Sequence, residues 1–130
     1  MKLSHVALAC SSEQRADAFY QGVLKLKKMK SFLLPRELAK KIFETDRECQ
    51  VVVYGNSRFA VEVFLTSLSV GREPGFEHIC IAVENIEEFV KRCEAMQVKV
   101  NRVSKEDRLL TFVKDYDGNI FEVKEMVSGE

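Results

Sequence analysis

The 130-residue chain has no net charge, no long apolar run, no paired cysteine motif and no local metal-binding signature, and each absence removes a class of function. Twenty basic residues balance twenty acidic ones, so no strong field draws the chain to nucleic acid. No apolar stretch approaches the ~20 residues needed to span a bilayer. Met1-Lys2-Leu3-Ser4-His5 runs straight into a strand pattern without the apolar core of a signal segment. The expectation is a soluble cytoplasmic protein with neither a nucleic-acid nor a membrane partner. Cys10, Cys49, Cys80 and Cys93 form no CxxC pair and fall inside predicted elements or at strand edges. Reduced thiols in such places act as small core residues. Cys80 is the exception, because two residues past His78 puts it on that histidine's face. The HExxH spacing of a helical metal site is missing as well. The length suits one domain, or two small similar modules sharing one core.

What the chain does have is four short runs in which an ionisable residue interrupts strand alternation. In a strand, successive side chains point to opposite faces. In Ser4-His5-Val6-Ala7-Leu8-Ala9, His5 shares its face with Ala7 and Ala9, against Val6 and Leu8. In Glu77-His78-Ile79-Cys80-Ile81-Ala82-Val83, His78 goes with Cys80 and Ala82, against Ile79, Ile81 and Val83. Glu62 is bracketed by Val61 and Val63, and Glu122 by Phe121 and Val123. With the bulky faces packed on helices, the four residues point the other way, into a cavity or into water. Burying an unpaired carboxylate costs several kcal/mol, so a buried acidic pair needs cations, hydrogen bonds or a metal. A single histidine on a strand is ordinarily just hydrogen-bonded, and a single glutamate ordinarily lies on a solvated face. It is the joint recurrence of His5, Glu62, His78 and Glu122 that points to a metal. Two imidazoles and two carboxylates suit zinc, nickel, cobalt, manganese or iron, and an octahedral ion so held keeps two positions open for water or substrate.

The chain also repeats itself. After the first histidine strand, Ser11 and Gln14 fit a capping box and Ala16, Phe19, Tyr20, Val23 and Leu24 form a helical stripe. After the second, Asn85 and Glu88 fit the same box, with Ile86, Phe89, Val90 and Cys93 as the stripe. Each half continues as three strands: 29–34, 49–54 and 59–65 in the first, 98–103, 109–114 and 120–126 in the second. Gly55-Asn56 joins one hairpin and Asp115-Tyr116-Asp117-Gly118-Asn119 the other. One segment has no counterpart. Pro35 to Phe43 reads as a short amphipathic helix with proline at its first position and Leu38 and Ile42 as its apolar pair, a lid or a cover for an open sheet edge. The tail from Val127 to Glu130 is expected to fray.

A duplicated strand-helix-three-strand module with candidate ligands on its first and last strands resembles the vicinal oxygen chelate superfamily, whose best-known member is glyoxalase I. The resemblance spans roughly residues 1–126 and is closest at Leu3-Ser4-His5-Val6-Ala7, Phe76-Glu77-His78-Ile79 and Asp115 to Glu122. Tyr116 there replaces the family's usual proline. The resemblance implies an α+β fold: a single domain over 1–130 of two tandem βαβββ modules, about 1–66 and 76–126. Together they would form a curved mixed sheet around a metal-binding cavity, with helices on the outer face. It places His5, Glu62, His78 and Glu122 where the ligands of bacterial glyoxalase I fall, around one divalent ion: nickel, cobalt, zinc or manganese. Epimerases of the superfamily usually have glutamine at the position of Glu62, and its three-ligand oxygenases and thiol transferases leave that position out. The full acidic pair therefore favours proton transfer. Glu122 and Glu62 would move the proton through an enediolate, converting the hemithioacetal of methylglyoxal and glutathione to the lactoyl thioester. Arg15, Arg36, Lys40 and Arg102 are the cations available to a substrate. A homodimer acting on a small molecule is implied. An acyl-CoA epimerase-like enzyme and a non-catalytic ligand-binding module are the alternatives.

Overall fold

A computed structural model describes residues 1–67 and 75–127. Of the expected frayed tail, residues 128–130 lie outside the described residues. The chain divides into two compact units, Met1–Arg72 and Glu73–Glu130. Each unit holds one four-stranded mixed sheet, so the fold is α+β with a repeated module, as expected.

In the first unit the strands are β1 (His5–Cys10), β2 (Lys27–Leu34), β3 (Cys49–Gly55) and β4 (Ala60–Leu65), in the order β1-β4-β3-β2. β1 runs parallel to β4, and the other neighbours are antiparallel. Alternation assigns the faces. Val52, Tyr54, Val61 and Val63 are fully buried, as are Phe19, Tyr20 and Val23 of the first helix, with the Tyr20 and Tyr54 rings stacked 5.5 Å apart. This helix starts as α1 (Glu13–Ala16) and widens into a π-helical segment over Asp17–Val23. Its cap is Ser12, whose side chain accepts from the Arg15 amide at 3.2 Å, and not Ser11, which instead receives the Arg15 guanidinium. The shift has a consequence for the repeat. Ser12 stands 73 residues before the second cap, Asn85, the same interval that separates His5 from His78.

The segment without a counterpart forms α2 (Arg36–Phe43). Pro35 is its extended N-cap and not its first helical residue. Leu38 and Ile42, the expected apolar pair, are half exposed, and Ala39 is the residue that packs inward, against Leu34, Val51 and Val53. Val53 is the register partner of Glu62, so α2 lies on the sheet face that carries the glutamate and does not cover an edge. Phe43 closes edge-on against Phe64, ring centroids 5.7 Å apart, and Arg36 grips Asp46 through two hydrogen bonds of 2.6 and 2.9 Å.

The second unit repeats the topology with β5 (His78–Val83), α3 (Ile86–Ala95), β6 (Val100–Lys105), β7 (Arg108–Lys114) and β8 (Ile120–Glu125), in the order β5-β8-β7-β6. Asn85 caps α3, accepting from the Glu88 amide at 3.0 Å. Only Glu106 and Asp107 separate β6 from β7, where the first unit inserts residues 35–48. The turn before β8 is held by Asp115, whose Oδ1 accepts from the amides of Asp117 and Asn119, while Gly118 supplies φ +92°. Tyr116 donates to the Met96 carbonyl at 2.6 Å, tying this turn to the end of α3. No helix of the described residues is long and apolar enough to cross a membrane.

Candidate metal centre

Each unit brings its histidine and its glutamate together by the same register. In the parallel pair β1 and β4, Glu62 stands beside Ala7 and His5 beside Ala60. The two ionisable side chains therefore rise from one face on a diagonal of two residues. In β5 and β8, Glu122 stands beside Cys80 and His78 beside Ile120. The flanking residues enforce this orientation: Val61 and Val63, and Phe121 and Val123, are buried on the opposite face. Rotating either strand by one residue would bury a carboxylate among them.

His5 Nε2 lies 3.5 Å from Glu62 Oε1, and His78 Nε2 lies 3.7 Å from Glu122 Oε1. Both separations exceed a good hydrogen bond. Two donor atoms each about 2.1 Å from one ion stand roughly 3 to 3.6 Å apart for angles between about 90° and 120°; the first pair falls within that range and the second just beyond it. The glutamates keep only 24 % and 20 % of their side-chain surface, and the histidines about half. This partial exposure leaves the face accessible.

The second pair carries a further constraint. His78 Nδ1 is 2.8 Å from the Phe76 carbonyl oxygen, which can only accept. Nδ1 therefore holds the proton, and in the neutral ring Nε2 presents a lone pair to the Glu122 carboxylate. Two acceptors facing each other at this distance are joined by a cation, a proton or a bridging water. A backbone carbonyl on the far imidazole nitrogen is also the usual outer support of a metal-ligating histidine. The donor set thus fits a divalent transition metal. Phe112, the register partner of Glu122, stands edge-on to the His78 ring at 6.4 Å. Its place was readable from alternation within β7, but an apolar residue on a strand carries no mark of chemistry. The Phe76 carbonyl has no sequence signal, since every residue has one.

Among the described residues, no three His, Cys, Asp or Glu side chains form one metal-holding group. Cys80 faces Glu122, and partial burial together with that carboxylate pushes its thiol above the ordinary range, so it stays protonated. Two of the expected substrate cations are engaged elsewhere: Arg36 with Asp46, and Arg102 with Glu87 at 3.0 and 2.9 Å. Arg15 reaches Ser11.

The Glyoxalase/Bleomycin resistance protein/Dioxygenase superfamily profile matches residues 4–112. No curated protein matches the chain. Solved structures share the fold. The glyoxalase family protein from Enterococcus faecalis is 18 % identical, with 96 % of each chain covered and a TM-score of 0.68. The fosfomycin resistance protein FosX from Mesorhizobium loti is 12 % identical, covering 97 % of this chain and 92 % of that one, with a TM-score of 0.70. A variant of FosX from Listeria monocytogenes, complexed with Mn(II) and 1S,2S-dihydroxypropylphosphonic acid, is 18 % identical, covering 97 % and 93 %, with a TM-score of 0.68.

Proposed function

Because the chain belongs to the glyoxalase/bleomycin resistance protein/dioxygenase superfamily, we propose that it is a divalent-metal-dependent lyase or isomerase of glyoxalase I type. The single observation that carries this reading is the duplicated His–Glu pair at or close to ligand spacing, 3.5 and 3.7 Å, with the His78 Nδ1 turned to the Phe76 carbonyl. His5, Glu62, His78 and Glu122 are the residues that would hold the ion. When bound, it supplies positive charge that polarises two adjacent substrate oxygens and acidifies the neighbouring C–H. The Listeria FosX variant, with Mn(II) and a compound bearing neighbouring hydroxyls, supports that combination within the superfamily.

The protein's own part is proton handling. Of Glu122 and Glu62, one takes the proton from carbon and the other returns it to the adjacent carbon. Both acids stand on rigid central strands, with buried neighbours on the opposite face that prevent rotation. His78 keeps Nε2 aimed at the site because the Phe76 carbonyl holds its other nitrogen, and Phe112 shields one edge of the ring. We expect a homodimer.

The test is turnover of the hemithioacetal of methylglyoxal and glutathione, followed by thioester absorbance, with nickel, cobalt, zinc or manganese added to stripped protein. Turnover that chelator abolishes, and that Glu62→Gln and Glu122→Gln each lower by roughly 10²- to 10⁴-fold, supports the reading. Metal-dependent exchange of the acidic hydrogen of an acyl-CoA, without hemithioacetal turnover, moves the assignment to the epimerase alternative.

A further inference from the structure

The α2 insertion sets the first unit apart from the second, and the proton-transfer chemistry leaves it unused. It encloses a cavity of about 520 Å³ on the first sheet, within the size range of small-molecule sites. Ala7, Ala9, Leu34, Phe64 and, from α2, Ala39 and Phe43 line it. Ala7, which lines the cavity, is the register partner of Glu62 and lies on the face His5 shares, while Glu62 and His5 themselves stand outside the lining. Cys49 also lines it, but its thiol donates to the Leu65 carbonyl at 3.4 Å and adds no free donor. The Phe43 side chain remains 53 % exposed even with its ring on Phe64, an apolar surface left facing the open space. Polar groups, Arg47 and Thr66 among them, also line the cavity.

From this juxtaposition we infer that α2 builds a specificity pocket for the apolar tail of the substrate. The substrate class is then a small molecule with two adjacent oxygens at one end, set beside His5 and Glu62, and an aliphatic chain at the other. Alanines at 7, 9 and 39 determine what fits, since each leaves the volume that a larger side chain would fill. A free-standing protein-docking patch is disfavoured, because the space is a cavity lined by the register neighbour of Glu62. The inference rests on the proposed function for the oxygen-bearing end only.

Straight-chain 2-hydroxy acids of three to ten carbons test it, titrated by calorimetry into the full-length protein with excess EDTA and again with Mn(II). In the EDTA arm, affinity should rise about three- to fourfold for each added methylene until the cavity is full. Ala9→Leu should end the rise at a shorter chain, and Phe43→Ala should flatten it, with circular dichroism confirming that both variants fold. A series that is flat in both arms overturns the inference. Short acids that bind only with Mn(II), without chain-length dependence, leave the metal reading standing and remove the pocket. A chain-length rise without any effect of Mn(II) keeps the pocket and removes the metal. If Phe43→Ala changes only the sedimentation behaviour, the cavity belongs to a second copy of the chain and the inference fails.

Discussion

Replacing Tyr54 by phenylalanine isolates the bond that fixes the first helix to its sheet. The Tyr54 hydroxyl donates to Asp17 Oδ1 at 2.7 Å, and Lys28 Nζ reaches the same carboxylate at 2.9 Å and Glu13 at 2.6 Å. The ring itself is fully buried and stacked on Tyr20, and phenylalanine preserves both features. The substitution therefore removes one hydrogen bond to a charged acceptor and little packing. Such bonds contribute about 1.5–3 kcal/mol. Asp17 keeps 35 % of its side-chain surface, so water replaces part of the loss and the lower end applies, about 1.5 kcal/mol. In urea this lowers the midpoint by roughly 1 M at unchanged slope. The pH dependence gives a second check. Burial opposes ionisation of Asp17, but the Tyr54 and Lys28 hydrogen bonds outweigh it and hold the carboxyl below its ordinary 3.8. A depressed folded value stabilises above the ordinary pKa, and the stabilisation is lost as pH falls through the folded value. The difference between wild type and Tyr54→Phe should hold at pH 7 and narrow below about pH 4. Burial and the Asp17 bond also push the Tyr54 hydroxyl up from 10.0, so above about pH 10 wild type should lose more stability than the variant does. A loss under about 0.5 kcal/mol at pH 7, or one that is unchanged in acid, refutes the reasoning.

Two further predictions concern the second unit. Gly118→Ala should cost about 1–2 kcal/mol in urea denaturation, because φ is +92° there, while the space around an added Cβ is open. A neutral effect would mean that the turn relaxes freely. Long-range ¹H–¹⁵N spectra of neutral His78 should show the proton on Nδ1, and a dominant Nε2–H tautomer would contradict the Phe76 hydrogen bond.

The parts of the fold that follow strict alternation were readable from the chain. Val61 and Val63 go inward and Glu62 outward because a pleated strand allows no other choice. The Asp115 turn was readable for a similar reason, since an aspartate followed by glycine and asparagine specifies its own hydrogen bonds. Where several residues offered the same chemistry, sequence could not choose. Ser11 and Ser12 both carry a capping oxygen, and backbone geometry selects Ser12. In α2, large apolar residues suggested the inward face, but close approach to the sheet selects Ala39 and leaves Leu38 and Ile42 half exposed. The π-helical widening over Asp17–Val23 is a tertiary outcome, set where Phe19, Tyr20 and Val23 must all meet the sheet. The recurrence of His and Glu was legible, and so was the strand each occupies. Their pairing distances depend on a two-residue diagonal in a parallel register, which alternation alone does not give.

Metal binding by the stripped chain tests the central claim most directly. Calorimetric titration with nickel, cobalt, zinc and manganese, checked by mass spectrometry of the untagged protein, should give one tight divalent ion per chain. Binding should be abolished by Glu62→Ala and also by Glu122→Ala. No ion held more tightly than millimolar would contradict the account and leave the two His–Glu pairs as proton-sharing surface contacts on a ligand-binding fold.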